Sequence, residues 1–155
     1  MVSDQKYAVR LVNGCLFVDD ASGCVILQQN ARPGLRPYIH PLRGPGGTTC
    51  LTEDSPWHHP WQHGVQTGFH GVNGCDFWFD LGQRTGVAIG TIEPCGLQVL
   101  SSEPPTWLVE AWWCHSGEEI LNERQRWSLC ATGSDLVYLD LEWRIEAVVG
   151  TEIEQ

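Results

Sequence analysis

His59 and His63 hold the most versatile chemistry in this chain, because an imidazole can both take and give a proton near neutrality. They lie in WHHPWQHGVQTGFHGVNGCDFWF, the stretch from Trp57 to Phe79. These 23 residues hold four of the six histidines and three of the eight tryptophans. Histidine and asparagine need hydrogen-bond partners once buried, and tryptophan is costly to leave in water. The mixture therefore suits neither an ordinary core nor a linker. It suits a concave site that grips a polar ligand between apolar faces, such as a sugar ring.

The spacing of His59 and His63 would bring both rings to one face of a helix, as in zinc-binding helices. Pro56 and Pro60 oppose a helix here. In an extended chain the two imidazoles share a side about 13 Å apart, with His58 on the other. Three readings follow. His59 and His63 hydrogen-bond a ligand or move a proton on it; a folded-back chain binds a metal through His58, His59 and His63; or the rings bond to the backbone and serve the fold. The first assigns His59 and His63 as the catalytic pair, with no metal and no cofactor.

The neighbours of the pair are ligand-binding candidates. Asp76 and Trp78 share a side of an extended Cys75–Phe79 segment, and a carboxylate beside an indole is a sugar-binding pair, although Asp76 equally suits a brace for the loop. Trp57 and Trp61 are stacking platforms or core. Asn73-Gly74 is a turn signal, because a two-residue hairpin turn needs positive φ, and Asn73 is also a ligand contact. His70 is placed at the rim, and His115 is exposed. No serine nucleophile elbow, phosphate loop or HExxH motif occurs.

The elements that must position these residues read as strands. Apolar stripes of helical period are missing, and two-residue alternation recurs between Gly, Asn, Asp and Pro. Tyr7–Leu11 turns at Asn13-Gly14 into Cys15–Asp19, and Ala21–Gly23 leads to Cys24–Gln28. Arg36–Leu42 is an irregular or edge strand, given Pro37 and Pro41, followed by a turn at Gly44–Gly47. Gly64–Phe69 and Cys75–Phe79 flank Asn73-Gly74 as a second hairpin. Trp107–Cys114, Gln125–Ala131 and Leu136–Val148 are long strands, the last two joined at Gly133-Ser134. In the last strand Leu139, Leu141, Trp143 and Ile145 face one way, and Asp140, Glu142, Arg144 and Glu146 the other. Glu110, Glu123, Arg124 and Arg126 read as a solvated strand face with cross-strand ion pairs. The whole predicts an all-β, antiparallel sandwich forming one domain over residues 1–155.

The net charge of −10 argues against nucleic acid, which demands clustered Lys and Arg. No apolar run spans a membrane. Seven scattered cysteines with no CxxC pair and no signal peptide predict free thiols in the cytoplasm. Leu136–Val148 is too long and too well patterned for a frayed end. An edge strand of that length invites a specific pairing, either a homodimer or a second β-domain.

The central blocks resemble the bacterial PmoA-like domains, a family historically labelled methane oxygenase. The matching residues are Arg36-Pro37-Tyr38-Ile39-His40-Pro41-Leu42, Gly46-Gly47, Thr52-Glu53-Asp54-Ser55-Pro56, His59-Pro60-Trp61, His63-Gly64, Val72-Asn73-Gly74 and Asp76-Phe77-Trp78. Leu121-Asn122-Glu123 and the Leu136–Glu146 strand follow where the family places paired strands. His58 and Gln62 depart from the pattern. The resemblance implies the first half of a galactose mutarotase-like supersandwich and a small-molecule carbohydrate or sugar-derived acid as ligand. It adds Tyr38 and His40 to the site beside Trp61, Asn73, Asp76 and Trp78. The oxygenase label conflicts with the lack of membrane spans. The resemblance also implies that the chain is truncated relative to the family, whose late catalytic base has no counterpart here. The sequence leaves open whether a bound sugar is turned over, and a non-catalytic carbohydrate-binding module remains an alternative.

Overall fold

The computed structural model describes residues 7–44, 47–79, 86–132 and 136–154. Every regular element among them is a β-strand: β1 Tyr7–Val12, β2 Cys15–Asp20, β3 Val25–Asn30, β4 Tyr38–Leu42, β5 Val65–Gln66, β6 Cys75–Asp76, β7 Ala88–Ile89, β8 Thr91–Ser102, β9 Pro105–His115, β10 Glu118–Thr132 and β11 Leu136–Ala147. They form a five-stranded sheet in the order β1-β2-β3-β4-β5 and a four-stranded sheet in the order β11-β10-β9-β8. All neighbours in both are antiparallel. A small parallel pair, β6-β7, stands apart.

The expected hairpin at Asn13-Gly14 is present, with both residues at positive φ and Val12 opposite Cys15. The long C-terminal strands are also as expected, and alternation along β11 leaves Val137, Leu139, Leu141, Trp143 and Ile145 half-buried between exposed neighbours. The Gly133-Ser134 connection lies outside the described residues, as do Pro45 and Gly46 of the Gly44–Gly47 turn. One expectation fails. No hairpin opens from Asn73-Gly74. The turn itself forms, but Gly64–Phe69 yields only the two residues of β5, and β6 pairs with Ala88–Ile89 instead. The twelve-residue β8 went unforeseen, because Pro94 and Gly96 interrupt its alternation. The sheet absorbs them in a bulge between Pro94 and Gly96, the device by which a strand carries such residues.

The two sheets share a core. Leu16, Val18, Leu27 and Ile39 of one meet Trp107, Val109, Trp127 and Leu129 of the other. A second cluster joins Phe77 and Val72 to Trp113, Ile92 and Leu121, tying the 64–79 segment to the four-stranded sheet. Burying so many indoles requires partners for their N–H groups. Trp107 Nε1 donates to Gln29 Oε1 at 3.1 Å and Trp127 Nε1 to Gln125 Oε1 at 2.9 Å. Trp113 and Trp143 both donate to Glu123, at 2.9 and 2.6 Å.

Glu123 corrects the sequence reading. It is 1% exposed and also accepts from Thr67 Oγ1 at 2.7 Å and Gln125 Nε2 at 2.8 Å. It therefore belongs to the interior, and only its neighbours form the solvated face. There Arg124 pairs with Glu110 at 3.2 Å and Arg126 with Glu142 at 3.8 Å.

Candidate ligand-binding site

The site is carried on the chain between β4 and β5, which are neighbours in the sheet although residues 43–64 separate them. That excursion closes on itself in layers. Arg43 bridges Cys50, and Asp54 bridges His63. Within the inner layer Ser55 N donates to Gln62 O at 2.8 Å, His59 N to Pro56 O at 2.9 Å and Gln62 N to His59 O at 3.0 Å. Prolines 56 and 60 thus shape tight turns and not a helix. Further along, the buried Arg36 guanidinium donates to the carbonyls of Thr67, Phe77 and Phe79 at 2.9–3.3 Å. It holds residues 67–79 against the sheet.

The bend separates the two histidines of the expected catalytic pair. His63 is 6% exposed. Its Nδ1 lies 2.6 Å from Asp54 Oδ1 and 3.2 Å from Ser55 Oγ, and its backbone N–H is taken by Gln66 Oε1 at 2.8 Å. The Tyr38 ring sits 5.2 Å from the imidazole, with its hydroxyl 3.5 Å from Asp54 Oδ2. Burial, then the Asp54 carboxylate, pushes the Tyr38 phenol up to about 12, so it stays a hydrogen-bond donor across the physiological range. A carboxylate on Nδ1 fixes the ring and its tautomer, the orientation on which histidine proton transfer depends.

His59 joins a different group. Ring contacts run from Trp57 to His58, His59, Trp61, Phe79, His70 and Trp78, with centroids 4.7–6.4 Å apart at each step. Trp57 ends this path 92% exposed. Inside it, His59 Nδ1 and Trp61 Nε1 are buried without a hydrogen-bond partner.

His40 reaches the same region. Its Nδ1 lies 2.9 Å from Thr52 Oγ1, and both line an open cleft of about 620 Å³ with Glu53, Asp54, Trp57 and His58. The fold thus brings Tyr38, His40, His59, His63 and Trp61 into two adjoining groups. Trp78 stands at the far end of the ring path. His58, His59 and His63 do not converge, and no group of three metal-ligating side chains occurs among the described residues.

Two residues assigned to ligand contact are used by the fold. Asp76 is 3% exposed. It accepts from Trp78 N at 2.7 Å and from His70 Nδ1 at 2.8 Å, so it braces the loop. Asn73, at φ 50°, clasps the C-terminal segment. Its side chain donates to Gly150 O at 3.1 Å and accepts from Glu152 N at 2.8 Å, and its own N–H donates to Glu152 O at 2.9 Å. Asn73→Ala is expected to cost about 1–2 kcal/mol and to speed amide exchange across 150–154. Unchanged exchange there would contradict the clasp. The His115 ring, expected to be exposed, is half-buried at the end of β9 and lies 3.2 Å from Ser116 Oγ through its Nε2.

Sequence reasoning passed over Asp54, Glu53 and Phe79. The acids stand just before the aromatic stretch, in Thr52-Glu53-Asp54-Ser55-Pro56. A carboxylate within ten residues of a histidine was the available signal, but only the bridge that folds Asp54 back onto His63 gives it meaning. A second cavity, about 410 Å³ and largely apolar, lies between Tyr7, Ile26, Leu42, Leu129 and Leu139. It holds no imidazole, and we do not place the chemistry there.

Residues 26–154, covering this loop and both its anchoring strands, match the model of a family of unknown function, DUF6807. The chain belongs to that family. No curated protein and no solved structure matches it. Within the DUF6807 match fall every site residue named above and the buried Glu123 network, while β1 and β2 precede it.

Proposed function

We propose that this DUF6807 domain binds a carbohydrate in the cleft beside Trp57, with His63 held by Asp54 as its proton-transfer group. The observation that carries the proposal is Trp57 itself, an indole 92% exposed at the mouth of a cleft lined with imidazole, hydroxyl and carboxylate groups. Such an exposed ring gains most by stacking on the apolar face of a sugar, whose hydroxyls then meet the polar walls. The likeness to PmoA-like and mutarotase-like domains points to the same ligand class, although fold alone does not decide function. The seven free cysteines support a reducing compartment, in line with the cytoplasmic placement.

If the bound sugar is turned over, proton transfer at a ring carbon by His63, with Tyr38 as a neutral donor, is the chemistry these groups allow. Epimerisation, ring opening and elimination all fit. A specific observation favours the non-catalytic alternative: His63 is almost wholly buried and spends Nδ1 on Asp54 and Ser55, as a structural clasp would. Following a bound sugar by proton NMR separates the two, since only the catalytic reading predicts a new species.

Calorimetric titration with a panel of hexoses and short oligosaccharides tests the binding claim. Trp57→Ala is expected to weaken binding about ten-fold or more, while changing stability by less than about 0.5 kcal/mol, as befits an exposed residue. Full affinity in the variant would contradict the role given to Trp57.

A further inference from the structure

We infer that the cleft beside Trp57 selects sugars that carry no acid group, which narrows the ligand class and excludes sugar-derived acids. The inference rests on the carbohydrate reading above. The cleft wall presents two carboxylates in sequence, Glu53 and Asp54, and neither lysine nor arginine lines it. Asp54 already has one oxygen on His63 Nδ1 at 2.6 Å, and its other oxygen lies 3.5 Å from the Tyr38 hydroxyl. Glu53 is exposed, and only its backbone carbonyl is engaged, by Gly64 N at 2.8 Å.

Two arginines stand outside this lining. The Arg43 guanidinium is turned to Gly47 O at 3.3 Å, and Arg32 is near enough to act on the Tyr38 phenol without lining the cleft. A uronate or aldonate carboxylate entering the cleft meets like charge at short range. It also meets the field of a chain whose net charge is −10, which lowers the local concentration of anions. Sugar hydroxyls and amines suffer neither penalty. They donate to the free oxygens of Glu53, and charge-assisted hydrogen bonds of this kind are the stronger class.

The test uses matched pairs on the intact chain: glucose with glucuronate, galactose with galacturonate, and glucosamine as the amine-bearing member. Binding is read by calorimetry at low and at near-molar salt. The neutral or amine-bearing member of the binding pair is expected to bind at least ten-fold tighter than its acid. Glu53→Gln, an exposed and nearly isosteric change, should narrow that gap several-fold, and high salt should narrow it too. An acid that binds as tightly as its neutral partner, or a gap unmoved by Glu53→Gln, overturns the charge inference and leaves the sugar site standing. Absence of binding by every member overturns the carbohydrate reading and the inference with it.

Discussion

Replacing Glu123 by alanine is expected to lower the unfolding free energy by about 3–5 kcal/mol, the range for breaking a buried, hydrogen-bonded charge site. The reason is the number of donors the carboxylate serves. Both indole N–H groups, of Trp113 and Trp143, end on it, together with the Thr67 hydroxyl and the Gln125 amide. Gln125 keeps Thr67 Oγ1 at 3.0 Å as an alternative partner, but the two indoles lose theirs. A buried donor left unsatisfied costs about 1–3 kcal/mol, and the lost volume adds a cavity term. For a chain of this length the melting temperature should fall by roughly 10 °C. Glu123→Gln should fall between wild type and alanine, because its amide keeps one acceptor but turns an N–H₂ group toward donors. A loss below about 1 kcal/mol in the alanine variant would show that the network does not organise the core.

Gly64→Ala is the second large effect. Gly64 follows His63 and sits at φ +55°, and an added Cβ would lie 2.1 Å from the Ile39 carbonyl oxygen and 3.0 Å from His40 Cβ. The obstacle is backbone, so no side chain can swing away. The strained φ and the clash together predict a loss of about 2–4 kcal/mol. The relief available is to push β5 off β4, where Ile39 pairs with Val65. That movement would carry His63 away from Asp54 and Tyr38. Gly64→Ala should therefore lose ligand affinity as well as stability, measured by urea unfolding and by titration of the folded fraction. Retained stability would mean that the close approach of β4 to residue 64 is not needed.

These two positions also show where the sequence was legible. Glu123 falls in step with Leu121, Trp127 and Leu129 along β10, so strand parity alone puts it inside. Its charge type, flanked by Arg124 and Arg126, suggested the opposite. Nothing local announces that two tryptophans from β9 and β11 will converge on one carboxylate, because that depends on the register Trp113↔Leu121 and Gln125↔Trp143. The long strands β10 and β11 were readable because most of each alternates between its two faces, and β9 because its run of apolar residues, buried from Pro105 to Val109, passes into alternation. β8 was not, since a bulge at Pro94 and Gly96 erases the period.

The site was legible in its residue types but not in its geometry. His59, Trp61 and His63 could be named from their mixture of rings and polar groups, and Tyr38 and His40 from the family resemblance. Strand spacing put His59 and His63 on one side, whereas the turns at Pro56–Gln62 divide them between the ring path and the Asp54 bridge. Asn73 and Asp76 carry the structural half of their two readings. Their polar groups looked available for ligand, but each closes hydrogen bonds that the backbone of its own surroundings requires. Trp57 read as stacking platform or core, and its 92% exposure excludes core.

The central claim, that a sugar occupies the cleft at Trp57, is tested most directly by the indole N–H resonances of the eight tryptophans during titration with the sugars above. Trp107, Trp113, Trp127 and Trp143 have buried partners in Gln29, Glu123 and Gln125. These four are expected to stay in place while the Trp57 and Trp61 signals move together and saturate. Signals that all stay fixed, or shifts that spare Trp57 and Trp61 and move the other four, would contradict it.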